Sequence, residues 1–186
     1  MKIFDITKNL FNLPVYPGDP EPKYSIVKDM KQGDEYNLTY VCLCPHNSTH
    51  VDAPKHFINN GETIESVSLE DYLGKCQVVI AEGEVDKERV QSLVSDGTKR
   101  LLLKGKATLT ISGAHELVKR GVVLVGIESG SIGDTAIHRT LLKAQMAILE
   151  NADLNLVEAG EYTLVALPLK WEGIEASPVR AVLIAE

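Results

Sequence analysis

Residues 44–57, CPHNSTHVDAPKHF, carry three of the chain's five histidines. His46, His50 and His56 fall within eleven residues, with Asp52 among them. Pro45 and Pro54 bracket the segment and exclude an uninterrupted helix. A turn through Asn47 and Ser48, then an extended Thr49-His50-Val51-Asp52, suits these residue types. An extended segment points His50 and Asp52 to the same face. His46 can return to that face across the turn. Imidazole nitrogens and carboxylate oxygens are the donors that Zn²⁺ or Mn²⁺ takes, and a carboxylate can bridge two metals through its two oxygens. The same spacing also fits a polar loop that binds nothing.

Upstream of this stretch, KIFDIT alternates like a strand. The segment LPVYPGDPEP, with four prolines and a glycine in ten residues, must be a loop or turn series. KYSIVKDM and YNLTYVCLC read as strands. Downstream, Ser68-Leu69-Glu70-Asp71 predicts a helix start and Gly74 its stop. CQVVIAEG is a strand, and Asp86 caps a helix through KERVQSLV. RLLLKG is a strand and SGAHELVKRG a helix. VVLVGI is a buried strand. HRTLLKAQM is a helix and AILE a short strand, and YTLVALPL and VRAVLIAE end the chain as strands. The alternation in the middle, with strands gathered at both ends, predicts an α/β fold with a mixed sheet.

The 186 residues are expected to form one domain, 1–186, large enough for a hydrophobic core. A net charge of −7, with basic residues scattered, excludes a nucleic-acid partner and an anionic membrane surface. The N-terminus lacks the apolar run of a signal peptide, and no stretch approaches the length of a membrane span. Cys42, Cys44 and Cys76 have neither the number nor the spacing of a disulfide framework or a Cys-type zinc site. A cytoplasmic protein is expected.

Two further residues qualify as donors. His138 stands at the start of HRTLLKAQM. Glu150 interrupts apolar sequence, and a buried carboxylate needs a partner or a metal. Glu150 fits equally as a residue capping or starting a helix near Asn151-Ala152-Asp153. His115 sits in a helix with nothing chemical beside it.

HNSTHVDAPKH resembles the H-x-G-T-H-x-D-x-P-x-H signature of the cyclase-like metal-dependent hydrolases, which include bacterial kynurenine formamidase (arylformamidase) and isatin hydrolase. VYPGDP, GVVLVGIESGSIGD, AILEN and ALPLKWEGIEASPVRAVL resemble other segments of that family, in the same order. The resemblance implies a swivelling β/β/α domain, assembled as a homodimer or higher homo-oligomer. It implies two metals per chain, Zn²⁺ first and Mn²⁺ as the other candidate. Their ligands would be His46, His50, Asp52, His138 and Glu150, with Asp52 and Glu150 bridging. His56 would be the catalytic acid/base and Tyr16 a residue facing a small, aromatic substrate.

The implied reaction is hydrolysis of an amide of the arylformamide kind. Opening of a cyclic amide or lactone, or a cyclisation or dehydration, is the alternative in the same site. Binding of metal or a small molecule without catalysis would leave His56 unexplained. The chain departs from the pattern at Ser48 (glycine in the signature), Tyr16 (tryptophan) and Glu128 (aspartate). Its 104–112 segment is also short where the family carries a longer loop that shapes the pocket, a departure that matters less if a neighbouring subunit supplies the lid.

Overall fold

The computed structural model describes residues 1–185. In chain order the elements are β1 (Lys2–Asp5), β2 (Lys23–Lys28), β3 (Leu38–Cys42), β4 (His50–Asp52), β5 (Leu73–Ile80), β6 (Gly83–Val85), α1 (Lys87–Leu93) and β7 (Arg100–Lys104). They continue with β8 (Ala107–Leu109), α2 (Ile111–Lys119), β9 (Leu124–Ile127), α3 (Thr135–Lys143), β10 (Ala147–Glu150), β11 (Gly160–Val165), β12 (Ala176–Pro178) and β13 (Val182–Ala185). The α/β fold with a mixed sheet is as expected. Nine strands form one sheet in the order β1-β13-β11-β5-β7-β9-β10-β4-β12.

Strands β5, β7, β9 and β10 are parallel neighbours. Parallel pairs need long crossovers, and α1, α2 and α3 lie within them. Both faces of these strands are covered. Leu101 and Leu103 of β7 join a core with Leu117 and Leu141 of the helices. Leu102, between them, joins a second core with Tyr72, Leu149 and Leu164. That is why the middle strands read as unbroken apolar runs rather than alternating ones.

Each helix starts where a short oxygen-bearing side chain accepts from the first turn. Asp86 takes the Arg89 N–H, Thr110 the Gly113 N–H, and Asp134 those of Ala136 and Ile137. Three expectations need correction. The helix expected from Ser68 is a 3₁₀ turn over Leu69–Tyr72, and Gly74 lies inside β5 rather than stopping a helix. The Arg100 guanidinium takes the Glu70 and Asp71 carbonyls that a continuing helix would use, and it packs over Gly74 where a Cβ would sit 2.9 Å from it. His138 is the fourth residue of its helix, not the first, because Asp134 caps three residues earlier than the apolar period suggests. VRAVLIAE contributes strand only from Val182, and a separate strand precedes it at Ala176–Pro178.

Strands β2 and β3 pair antiparallel as a hairpin outside the main sheet. Nearly all of their residues are exposed, including Tyr24 at 61% and Tyr40 at 62%.

Gly113 is a packing requirement that its sequence context does not signal. A Cβ there would lie 2.2 Å from the Val85 carbonyl oxygen, a backbone atom that cannot turn aside. Gly113→Ala is therefore expected to lower stability by about 1–3 kcal/mol, read as a shift of the urea midpoint with an unchanged slope.

Candidate metal centre

Strand β4 carries His50 and Asp52 on one face, as the period of two requires. It is held on both sides. Asp52 pairs with Ile148 of β10 and with Ala176 of β12, and His50 pairs with Glu150 and Pro178. This register sets His50 directly across from Glu150. Helix α3 supplies His138 from its first turns. The Asn47-Ser48 turn brings His46 back beside β4. The five residues that lie apart in the sequence thus meet in one place, at the ends of β4 and β10.

His46 Nδ1 lies 3.1 Å from Asp52 Oδ1, and His50 Nε2 lies 3.4 Å from the same oxygen. His50 Nε2 is also 3.5 Å from Glu150 Oε2. On the other side, His138 Nε2 is 3.2 Å from Glu150 Oε1 and 4.0 Å from Asp52 Oδ2. The donors form two groups, His46-His50-Asp52 and Asp52-His138-Glu150, each with its ligand atoms within 4.8 Å of one another. Donors about 2.1 Å from a common ion stand about 3.0–3.4 Å apart in octahedral or tetrahedral array, so most of these spacings suit a shared ion. The two oxygens of Asp52 face different groups.

Burial makes this arrangement costly without a cation. Asp52 is fully buried, and His50, His138 and Glu150 are at most 4% exposed. His46 Nε2, His50 Nε2 and both Asp52 oxygens are buried and make no well-formed hydrogen bond. Each such group costs about 1–3 kcal/mol when unpaired. A divalent cation in each group would satisfy them, and the donor set of imidazoles and carboxylates suits Zn²⁺ or Mn²⁺. The residues fit a binuclear centre.

Charge coupling follows the same geometry. Burial opposes protonation of His50, but the Asp52 and Glu150 carboxylates outweigh it and raise its pKa to about 9. Burial opposes ionisation of Asp52, yet His46 and His50 hold it well below the carboxylate range. His138, also disfavoured by burial, is raised by Glu150 and the Asp134 carbonyl. His56 behaves differently. Burial pushes it down to about 4, with the neighbouring imidazoles helping against the pull of Asp52. It belongs to neither donor group. Its ring lies 4.1 Å from that of His46 and 4.3 Å from that of Phe57, centroid to centroid.

The centre opens into a cavity of ≈ 720 Å³. Residues 13–17 and Asp19 form one wall, and Ser131, Gly133 and Thr135 belong to another. Tyr16 lines this cavity and is 64% exposed. His46, His50, His56, His138 and Glu150 all face it. Residues 104–112 do not line it. They form a turn and β8, which pairs with β6, so the short segment is not a lid. Glu128 ties that turn back to the body, accepting from the Gly105 and Leu154 N–H groups. Glu175, 3.5 Å from His46, was not among the residues expected at the site. It directly precedes β12, a strand the sequence pattern does not announce.

The Cyclase family model matches residues 4–98, just over half of the chain. The chain belongs to the cyclase family. Among solved structures, a potential metal-dependent hydrolase with cyclase activity superposes with a TM-score of 0.84 at 26% identity, over 98% of this chain and 96% of the other. A predicted metal-dependent hydrolase from Bacillus stearothermophilus gives 0.83 at 26% identity, over 98% and 97%. Isatin hydrolase A from Labrenzia aggregata, bound to benzyl benzoate, gives 0.86 at 18% identity, over 100% and 94%. At that identity the likeness speaks to the fold alone. The cyclase fold is thus shared over essentially the whole chain.

Ser48 sits at φ 61°, in the left-handed region. Its hydroxyl donates to the Lys8 carbonyl at 2.7 Å. The backbone cost of about 1 kcal/mol is thereby offset by a hydrogen bond of about the same size. Ser48→Gly is expected to leave stability within about 0.5 kcal/mol of the wild type, whereas Ser48→Ala, which keeps the strain and loses the bond, should lose about 1 kcal/mol. Thermal denaturation of the two variants side by side checks this.

Proposed function

We propose that the chain is a metal-dependent hydrolase cleaving a carbon–nitrogen bond outside peptides, with a small aromatic amide of the arylformamide kind as substrate. One observation carries the reading: a histidine that joins neither donor group stands beside two groups sharing Asp52, and this histidine, His46, His50, His138 and Glu150 face one cavity. When bound, two Zn²⁺ or Mn²⁺ ions supply Lewis acidity toward a carbonyl oxygen and lower the pKa of water. His46, His50, Asp52, His138 and Glu150 would hold them.

The remaining chemistry belongs to the chain. His56, uncharged at neutral pH, accepts the proton of the attacking water and returns it to the leaving nitrogen. Water adds across the bond, giving the acid and the amine. The 3₁₀ turn over Pro54–His56 aims the imidazole, and Lys55 reaches outward to the Gly173 carbonyl. Tyr16 and Phe57 offer aromatic surface to a ring. Asp19 accepts no side-chain role here; its N–H closes a turn on the Tyr16 carbonyl. Ring opening of a cyclic amide is the same bond cleavage on a closed substrate, and the isatin hydrolase fold likeness supports testing it.

Among the described residues no helix is long and apolar enough to cross a membrane. The cytoplasm is the compartment proposed, supported by three free cysteines. A homo-oligomer is proposed as well. A lone two-stranded hairpin is at best marginally stable in water, yet β2 and β3 expose Tyr24, Ile26, Tyr40 and Val41. This exposed apolar surface supports that reading, with a second copy covering the hairpin as the arrangement proposed.

Two outcomes are expected. With Zn²⁺ or Mn²⁺ added, formanilide-type amides should turn over, and His56→Ala should keep full metal content while losing about 10²–10⁴-fold in rate. Loss of metal in that variant would make His56 a ligand instead. In size-exclusion chromatography with light scattering, the wild type should run as an oligomer, and the double variant Ile26→Asp, Tyr40→Asp should run at a lower mass.

A further inference from the structure

The three imidazoles of the centre are held in two different ways. His50 and His138 each turn Nδ1 to a backbone carbonyl, Ser48 O and Asp134 O respectively, both at 2.9 Å. A carbonyl accepts only from N–H, so both rings carry a proton on Nδ1 and turn Nε2 to the donor groups, leaving that nitrogen as the one that can bind a cation. His46 is reversed. Its Nδ1 faces Asp52 Oδ1 at 3.1 Å, while Nε2 faces Glu175 Oε1 at 3.5 Å. That Nε2 is buried and makes no well-formed hydrogen bond, and the Glu175 carboxylate is the acceptor placed toward it.

We infer that Glu175 is a positioning residue that keeps His46 in its Nε2–H form, so that the Nδ1 lone pair serves the His46-His50-Asp52 group. The inference rests on the metal-centre reading. Glu175 acts through His46 and supplies no donor of its own. An outward carboxylate both selects the tautomer and raises the basicity of the inward nitrogen. For His50 and His138 a peptide carbonyl fills the first of these roles; for His46 it falls to a side chain.

The segment bearing Glu175 is built to hold still. The Glu175 carbonyl accepts from the Ala53 N–H at 2.9 Å, and the Ile174 carbonyl from the Ile64 N–H at 2.8 Å. Gly173 donates its N–H to Glu65 at 3.0 Å and accepts from Lys55 Nζ. Residues within the signature (Ala53, Lys55) and just after it (Ile64, Glu65) therefore lock the backbone from which the carboxylate reaches His46. The carboxylate itself stays 34% exposed, so substituting it leaves no buried charge behind.

The test is a titration of metal-free protein with Co²⁺, followed by its d–d absorption and by competition with a chelator. Wild type should take two equivalents. Glu175→Ala should still take two at saturation, with one of the two steps weakened about 10–100-fold. Glu175→Gln, whose amide oxygen still accepts from Nε2–H, should recover part of that loss. Urea denaturation of the metal-free variants reports separately on folding and should match the wild type. Two wild-type steps unchanged in Glu175→Ala would overturn the inference. So would a stoichiometry of one in Glu175→Gln, which would make Glu175 a ligand. Absence of any Co²⁺ binding by the wild type would instead overturn the metal-centre reading beneath it.

Discussion

The constraint on which this structure depends is the burial of two carboxylates, Asp52 and Glu150, among three imidazoles. A carboxylate taken out of water costs several kcal/mol unless its charge is met. Among the described residues no Lys or Arg meets it; the neighbours are histidines, of which His50 and His138 are drawn toward the protonated form by the carboxylates against the cost of their own burial. Without a cation the site must hold protons in place of metal. Divalent cations replace those protons, because they accept the lone pairs and neutralise the charge.

Sheet register is what makes that assembly reproducible. Strand β4 has only three residues, yet it is paired on both edges and fully buried. A slip of one residue would turn His50 and Asp52 away and bring Val51 to the site. The neighbouring backbone is correspondingly particular. Ser48 and Asn151, which flank β4 and β10, both take φ near 60°, and the Asn151 side chain donates to the Ser48 carbonyl that also holds His50. Positive φ at non-glycine residues is a local expense, placed here beside the ligands whose directions it sets.

Much of this was legible before any coordinates. The spacing of His50 and Asp52, with prolines on either side, implied an extended segment with both donors on one face. Apolar runs bounded by glycines marked the central strands. Glu150 stood out as a charge interrupting apolar sequence. The remainder was hidden for identifiable reasons. The 69–72 turn looked like a helix because Arg100, which takes its carbonyls, lies about thirty residues away. Strand β12 was missed because three residues containing a proline carry no period. Glu175 went with it, since its role depends on a pairing between β12 and β4 that only the folded chain creates. The short 104–112 segment drew attention as a lid, but its strand pairs with β6 and leaves the cavity to the 13–19 and 129–135 loops.

The burial of the Asp52 and Glu150 carboxylates is explained only if cations occupy both donor groups. Anomalous diffraction from crystals grown with Zn²⁺, collected on either side of the zinc edge, addresses it most directly. Two peaks are predicted in each chain, one among His46, His50 and Asp52 and the other among Asp52, His138 and Glu150, with Asp52 shared and His56 bonded to neither. Peaks confined to surface residues, or no peak among these side chains at full Zn²⁺ loading, would contradict it.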